Sequence, residues 1–95
     1  MLYSYPAIFE QDEEDPQYVN VTFVDIFPGA TFGDSFEDAM RMAKDFLKLM
    51  ICEAPKQVFP PSDIEQVRKE YPGKMVVMVE VEIDDGELND SFPEC

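Results

Sequence analysis

The stretch Ser35-Phe36-Glu37-Asp38-Ala39-Met40-Arg41-Met42-Ala43-Lys44-Asp45-Phe46-Leu47-Lys48-Leu49-Met50-Ile51 decides how this chain folds. Phe36, Ala39, Met40, Ala43, Phe46, Leu47, Met50 and Ile51 recur at the spacing of one helix face. A helix reaching to about residue 53 with a single apolar stripe must lie against something flat and apolar. Its start is marked twice over. Either Asp34 with Glu37 or Ser35 with Asp38 has the spacing of a capping box, in which side chains satisfy the free N–H groups of the first turn. Acids crowd that turn while Lys44 and Lys48 come later, as the helix dipole favours. Met42 and Leu49 fall outside the stripe. They either widen the buried face or belong to a surface for another molecule.

The flat partner is legible on both sides of the helix. Upstream, Tyr18-Val19-Asn20-Val21-Thr22-Phe23-Val24 alternates apolar and polar, so it reads as a strand with one buried face. Residues 2–9 are rich in aromatic and β-favouring types and read as its hairpin partner, across the polar turn Glu10 to Pro16. Pro6 is an objection to that strand, because proline cannot donate to a ladder. Pro28-Gly29 punctuates, and Ala30-Thr31-Phe32 makes a short third strand. Downstream, Pro55, Pro60 and Pro61 forbid continued helix, and a short helix runs from Pro61-Ser62-Asp63 to Tyr71. Met75 to Ile83 forms the last strand. Met75, Val77, Val79, Val81 and Ile83 share an apolar face, while Val76, Met78, Glu80 and Glu82 share a half-apolar one. The order β, β, short β, α, short α, β predicts an α+β sandwich: one mostly antiparallel sheet with the main helix packed on one face. Residues 1–83 make one domain, and residues 84–95 read as an acidic, disordered tail. The half-apolar face needs cover. Val76, Met78, Met42 and Leu49 are therefore candidate self-association positions, with a homodimer or higher homo-oligomer the expected state.

Ninety-five residues with 45% hydrophobic content can bury only a small core. The charge is lopsided: 21 acids, 7 bases, no histidine, net −14. Residues 1–40 carry −9, residues 41–74 carry +2 and residues 75–95 carry −7. Direct nucleic-acid binding is thereby disfavoured, because that affinity comes from Lys and Arg displacing counterions. It would need Arg41, Lys44, Lys48, Arg68 and Lys69 to gather on one surface. The N-terminus lacks a basic region followed by a long apolar run, and no stretch approaches the roughly 20 apolar residues of a membrane span. Cys52 and Cys95 have no metal-type spacing and read as two reduced thiols in a cytoplasmic chain.

Little catalytic chemistry is present. Without histidine, neither Ser35 nor Ser62 has a base in its sequence neighbourhood, and both read as helix caps. Cys52 lacks an activating partner. Asp12, Glu13, Glu14 and Asp15 lack the glycine and the later glutamate of a calcium loop. No phosphate-binding glycine loop occurs. The sequence predicts no enzyme activity, no metal and no cofactor.

One ordered series does carry a resemblance. Tyr5-Pro-Ala-Ile-Phe9, an acidic turn, Phe23-Val-Asp-Ile26, Pro28-Gly29-Ala30, Thr31-Phe-Gly-Asp-Ser35, Glu37-Asp-Ala39 with Met42-Ala43, and Phe59-Pro-Pro-Ser62 together resemble the N-terminal domain of HicB-like antitoxins. The resemblance covers about residues 3–83. It implies a partial ribonuclease H-like fold, β-β-β-α-β, without the catalytic acids of that fold. It also implies a central first strand pairing with the fourth, and hence a bulge or pairing gap at Pro6. Such domains bind and neutralise a small basic HicA-like toxin that cleaves messenger RNA. Phe27 stands inserted where the family runs Asp-Leu-Pro-Gly, and the acidic residues 84–95 do not resemble the family's DNA-binding module. The expected partner surface is the acidic turn Asp12, Glu13, Glu14 and Asp15 with the polar strand face Tyr18, Asn20 and Thr22. The competing readings are an RNA- or DNA-binding ribonuclease H-like domain and an orphan domain that associates only with itself.

Overall fold

A computed structural model describes residues 2–27 and 29–83; the expectation for residues 84–95 lies outside them. The strands are β1 (Leu2–Gln11), β2 (Val19–Phe23), β3 (Ala30–Gly33) and β4 (Met75–Glu82), and the helices are α1 (Phe36–Glu53) and α2 (Ile64–Glu70). They form one antiparallel sheet in the order β3-β2-β1-β4. The fold is mixed α+β with a four-stranded antiparallel sheet, and β1 is central as expected.

The register of β1 explains how a proline survives in its middle. Ala7 faces Phe23 at the last β1–β2 pair, while β1–β4 pairing runs unbroken through Pro6 and Met78. The Phe23 N–H donates to the Gly29 carbonyl, away from β1 (2.7 Å), and the Asp12 N–H donates to the Tyr18 carbonyl across the hairpin (2.9 Å). Backbone groups of an antiparallel strand alternate in direction. The even residues of β1 therefore address β2 and the odd ones address β4. Pro6 is the first even position past the end of β2, so its missing N–H faces no ladder partner. The expected pairing gap lies on the β2 side.

Odd positions of the strands bury against α1. Tyr5, Ala7, Phe9, Val21, Phe23, Val79, Val81 and Ile83 enclose one core with Ala39, Ala43, Leu47, Met50 and Ile51. Gly33 lets α1 approach this closely, since a Cβ there would collide with the Ala39 backbone. Of the two possible caps, Ser35 fills the position: its Oγ accepts from the Asp38 N–H (3.1 Å). The Asp38 carboxylate reaches back one residue further, to the Asp34 N–H (2.9 Å). That bond, and then Arg41 beside it, holds the Asp38 carboxyl below its ordinary range.

The other face of the sheet, whose half-apolar strand needs cover, receives part of it from within the chain. There α2 covers Ile8 and Val76 with Val67, which is fully buried. Val76 is itself 6% exposed, covered within the chain by α2. A seven-residue helix with one buried side chain has no stripe to read, which is why its cover was not anticipated. The connector contains a 3₁₀ turn at Pro55–Gln57 and then bridges to the turn after β2, with Ile26 opposite Val58.

Two cap and cysteine readings are corrected. Asp63, not Ser62, caps α2 by accepting from the Glu65 N–H. Cys52, on the last turn of α1, is disulfide-bonded rather than a reduced thiol. Separation along the chain carries no information on which sulfurs a fold brings within bonding distance. The correction removes reduced thiols as a reason for placing the chain in a reducing compartment. Among the described residues no helix is long and apolar enough to cross a membrane.

Candidate functional site: the acidic hairpin end

The β1–β2 turn is ordered by its own acids. Both oxygens of Asp12 are engaged: one accepts from the Asp15 N–H (3.0 Å) and the other from the Asn20 side-chain amide (3.1 Å). Tyr18 N–H donates to the Asp15 carbonyl (3.0 Å), and the Gln11 amide donates to the Pro16 carbonyl (3.3 Å). An Asx-type side chain at the first turn position substitutes for backbone pairing in this way. Asp12 thus shapes the turn that presents Glu13 and Glu14, which are exposed.

At this end of the hairpin a concavity of about 520 Å³ is lined by Glu10, Gln11, Asp12, Glu13, Glu14, Asn20 and Thr22. Five of the seven residues expected at the partner surface therefore converge: Asp12, Glu13, Glu14, Asn20 and Thr22. Asp15 does not line the concavity; its backbone closes the turn. Tyr18 stands beside it, edge-on to Phe32 with ring centroids 5.9 Å apart. Phe32 is in register with Asn20 and is 56% exposed. The sequence reading missed Glu10 and Phe32. The signal for Glu10 was its even position, in phase with Ile8, and for Phe32 the alternation of a strand too short to show it.

Lys74 sits at the edge of this acidic region and pairs with Glu10 (2.5 Å). The hydrogen bond and charge of Glu10, with a smaller part from Glu13, hold the Lys74 ammonium above its ordinary pKa. Both side chains stay partly exposed, so the pair is a surface salt bridge of small energetic worth.

Asp25 is the buried carboxylate among the described residues, and its role is structural. It accepts from the Ser62 N–H (2.8 Å) and the Ser62 hydroxyl (2.6 Å). The Asp25 carbonyl takes the Phe59 N–H (2.8 Å), and the Phe27 N–H donates to the Gln57 carbonyl (3.1 Å). The Phe23-Val-Asp-Ile26 and Phe59-Pro-Pro-Ser62 motifs are thus two halves of one latch. Phe27 is exposed beside it, edge-on to Phe59, with centroids 6.1 Å apart.

The remaining predicted residues do not form one patch. Met42 is half-buried and Leu49 exposed, both on the side of α1; Met78 lies on the opposite sheet face, 37% exposed. The bases split in the same way. Arg41 pairs with Asp38 and approaches Asp45 on α1, whereas Arg68 pairs with Glu65 on α2, across the sheet. Arg41 and Arg68 therefore do not share one surface. Among the described residues, no group of acids and cysteines is arranged to hold a metal ion.

No protein-family model and no curated protein matches the chain. Among solved structures, a chain of a toxin–antitoxin complex from Streptococcus pneumoniae has the same fold, with a TM-score of 0.68 and 24% sequence identity over 86% of this chain and 70% of that one. At that identity the likeness is one of fold.

Proposed function

We propose that this chain is a non-catalytic protein-binding module of the antitoxin type, which neutralises a small basic HicA-like toxin by covering it. The observation that carries the reading is the acidic concavity at the hairpin end, where Asp12 orders Glu13 and Glu14 above Asn20 and Thr22. Such a surface attracts a basic partner at long range and discriminates against acidic ones. The fold likeness to a chain of a toxin–antitoxin complex adds support. Of the two roles in such a pair, a chain of net −14 without histidine fits the neutralising one. The domain that binds is residues 1–83, read as a partial ribonuclease H-like fold that keeps the sheet and main helix. A homo-oligomer is compatible with this role.

The test is a growth assay with the toxin-like gene adjacent to this one, followed by calorimetric titration of the two purified proteins. Rescue of growth and a stable complex support the reading. Growth arrest that persists, together with no heat of binding, refutes it and leaves two alternatives, the first an orphan self-associating domain. A ribonuclease H-like nucleic-acid binder is the third reading, and gel-shift titration with RNA and duplex DNA at low salt decides it.

A further inference from the structure

We propose that the outer edge of β4 is a second docking site, which takes an extended segment of a partner protein as an added strand, with Lys or Arg opposite Glu80 and an apolar residue opposite Met78. The inference goes beyond the hairpin-end reading and does not depend on it.

β4 is the outermost strand of the sheet among the described residues, with β1 on its inner side. The odd residues of β1 address β4, and they face odd residues of β4: Tyr5 with Val79, Ala7 with Val77. The even residues of β4 therefore direct N–H and C=O outward. An independent contact agrees with this alternation: the Arg68 guanidinium donates to the carbonyl of Val76, an even residue (3.3 Å). Arg68 thus closes the edge at its α2 end. Beyond it, among the described residues, the outward backbone groups of Met78 and Glu80 form a short open edge, the arrangement that accepts a strand from another chain.

The side chains specify the occupant. Met78 and Glu80 project on the face that α2 leaves uncovered and are both exposed. Opposite-charge and apolar pairs across antiparallel strands stabilise, and like charges directly opposite destabilise. A basic residue therefore belongs opposite Glu80, and an apolar one two residues later belongs opposite Met78. A second copy of this chain is a poor occupant. Joining two β4 edges crowds both copies of Glu80 onto one face, between chains that each carry −14. Residues 84–95 contain acids and no base, so they do not complement Glu80 either.

The test uses the full chain, isotope-labelled, and a synthetic peptide of alternating Lys and Thr with a central Lys-Thr-Leu; a second peptide has Glu in place of Lys. The proposal expects saturable binding of the basic peptide, with amide exchange at Met78 and Glu80 slowed at least about tenfold. Met78→Pro removes an outward donor without touching the β1 pairing, and should weaken binding at least about fivefold. Glu80→Lys should weaken it similarly while the circular dichroism spectrum stays unchanged, which keeps the test meaningful if the proline variant unfolds. Equal binding by the acidic peptide, unchanged binding by both variants, or protection confined to residues 10–22 overturns the proposal. Concentration-dependent dimerisation that Met78→Pro abolishes also overturns it, in favour of a second copy.

Discussion

Replacing Val67 by alanine tests the seating of α2 on the sheet face opposite α1. Val67 is fully buried against Ile8 and Val76, and it is the buried residue of a seven-residue helix. Removing its two methyl groups forfeits about 1.6 kcal/mol at roughly 0.8 kcal/mol per carbon, and the cavity left behind raises the cost to about 2–2.5 kcal/mol. So short a helix has no stability of its own, so this contact decides whether it stays docked. If docking and global folding are one transition, the urea midpoint should fall by roughly 1.5 M, taking a slope of about 1.5 kcal/mol per molar. If α2 lifts off separately, amide exchange at Val67 and Tyr71, both bonded within this helix and its cap, should accelerate about 30-fold at an unchanged midpoint. Urea denaturation and hydrogen exchange measured on the same sample separate the two. An unchanged midpoint with exchange within about twofold of the parent would refute the argument, because it would mean that α2 contributes nothing where it lies. The polar variant Val67→Asp should go further, exposing Ile8 and Val76 and producing concentration-dependent association in sedimentation velocity.

Ser35→Ala removes the α1 cap and should cost about 1 kcal/mol, seen as a melting temperature lower by about 5 °C. Ser62→Ala takes the shorter of two bonds from the Asp25 carboxylate; a bond to a charged, buried group is worth about 1.5–3 kcal/mol, measurable by urea denaturation, and Ser62→Thr should restore most of it. The Tyr5 phenol is raised by burial, then by the charge of Asp25 and by Tyr3. Its contribution to stability is whole below the ordinary tyrosine value of about 10 and is lost as pH rises through the folded-state value, because the unfolded chain releases that proton first. Alkaline unfolding followed by circular dichroism should show this loss, and Tyr5→Phe should flatten it. Charge reversal of Glu13 and Glu14 together should slow association with a basic partner at low salt and leave the dissociation rate nearly unchanged, by stopped-flow fluorescence; an unaltered association rate would remove the steering role.

The features legible in the sequence are those that repeat. Alternation from Val19 to Phe23 and the stripe from Phe36 to Ile51 each state their periodicity several times over, so the sheet face and the helix face could be assigned. The acidic turn was legible because its carboxylates are consecutive. What escaped was single and non-local. Val67 is one residue in a helix too short for a pattern. Asp25 and Ser62 are 37 positions apart, and nothing in either neighbourhood announces the other. Glu10 was assigned to a turn because it is polar, though it is still within β1 and faces the same way as Asn20. Val76 was placed on the correct face of its strand, yet facing does not reveal what lies over it.

Pro6 has a bearing on how the chain finds its pairing. A slip of β2 by one residue would send Val21 and Phe23 to the wrong face and is excluded by their burial. A slip by two residues keeps every side chain on its proper face and is the harder error to exclude. In one direction that slip would set Pro6 opposite Thr22, at a position where an N–H must be supplied and none exists. A residue that looks like a defect in a central strand thus makes one of the two face-preserving misalignments pay a lost bond, leaving the hairpin's acidic end to form where it does.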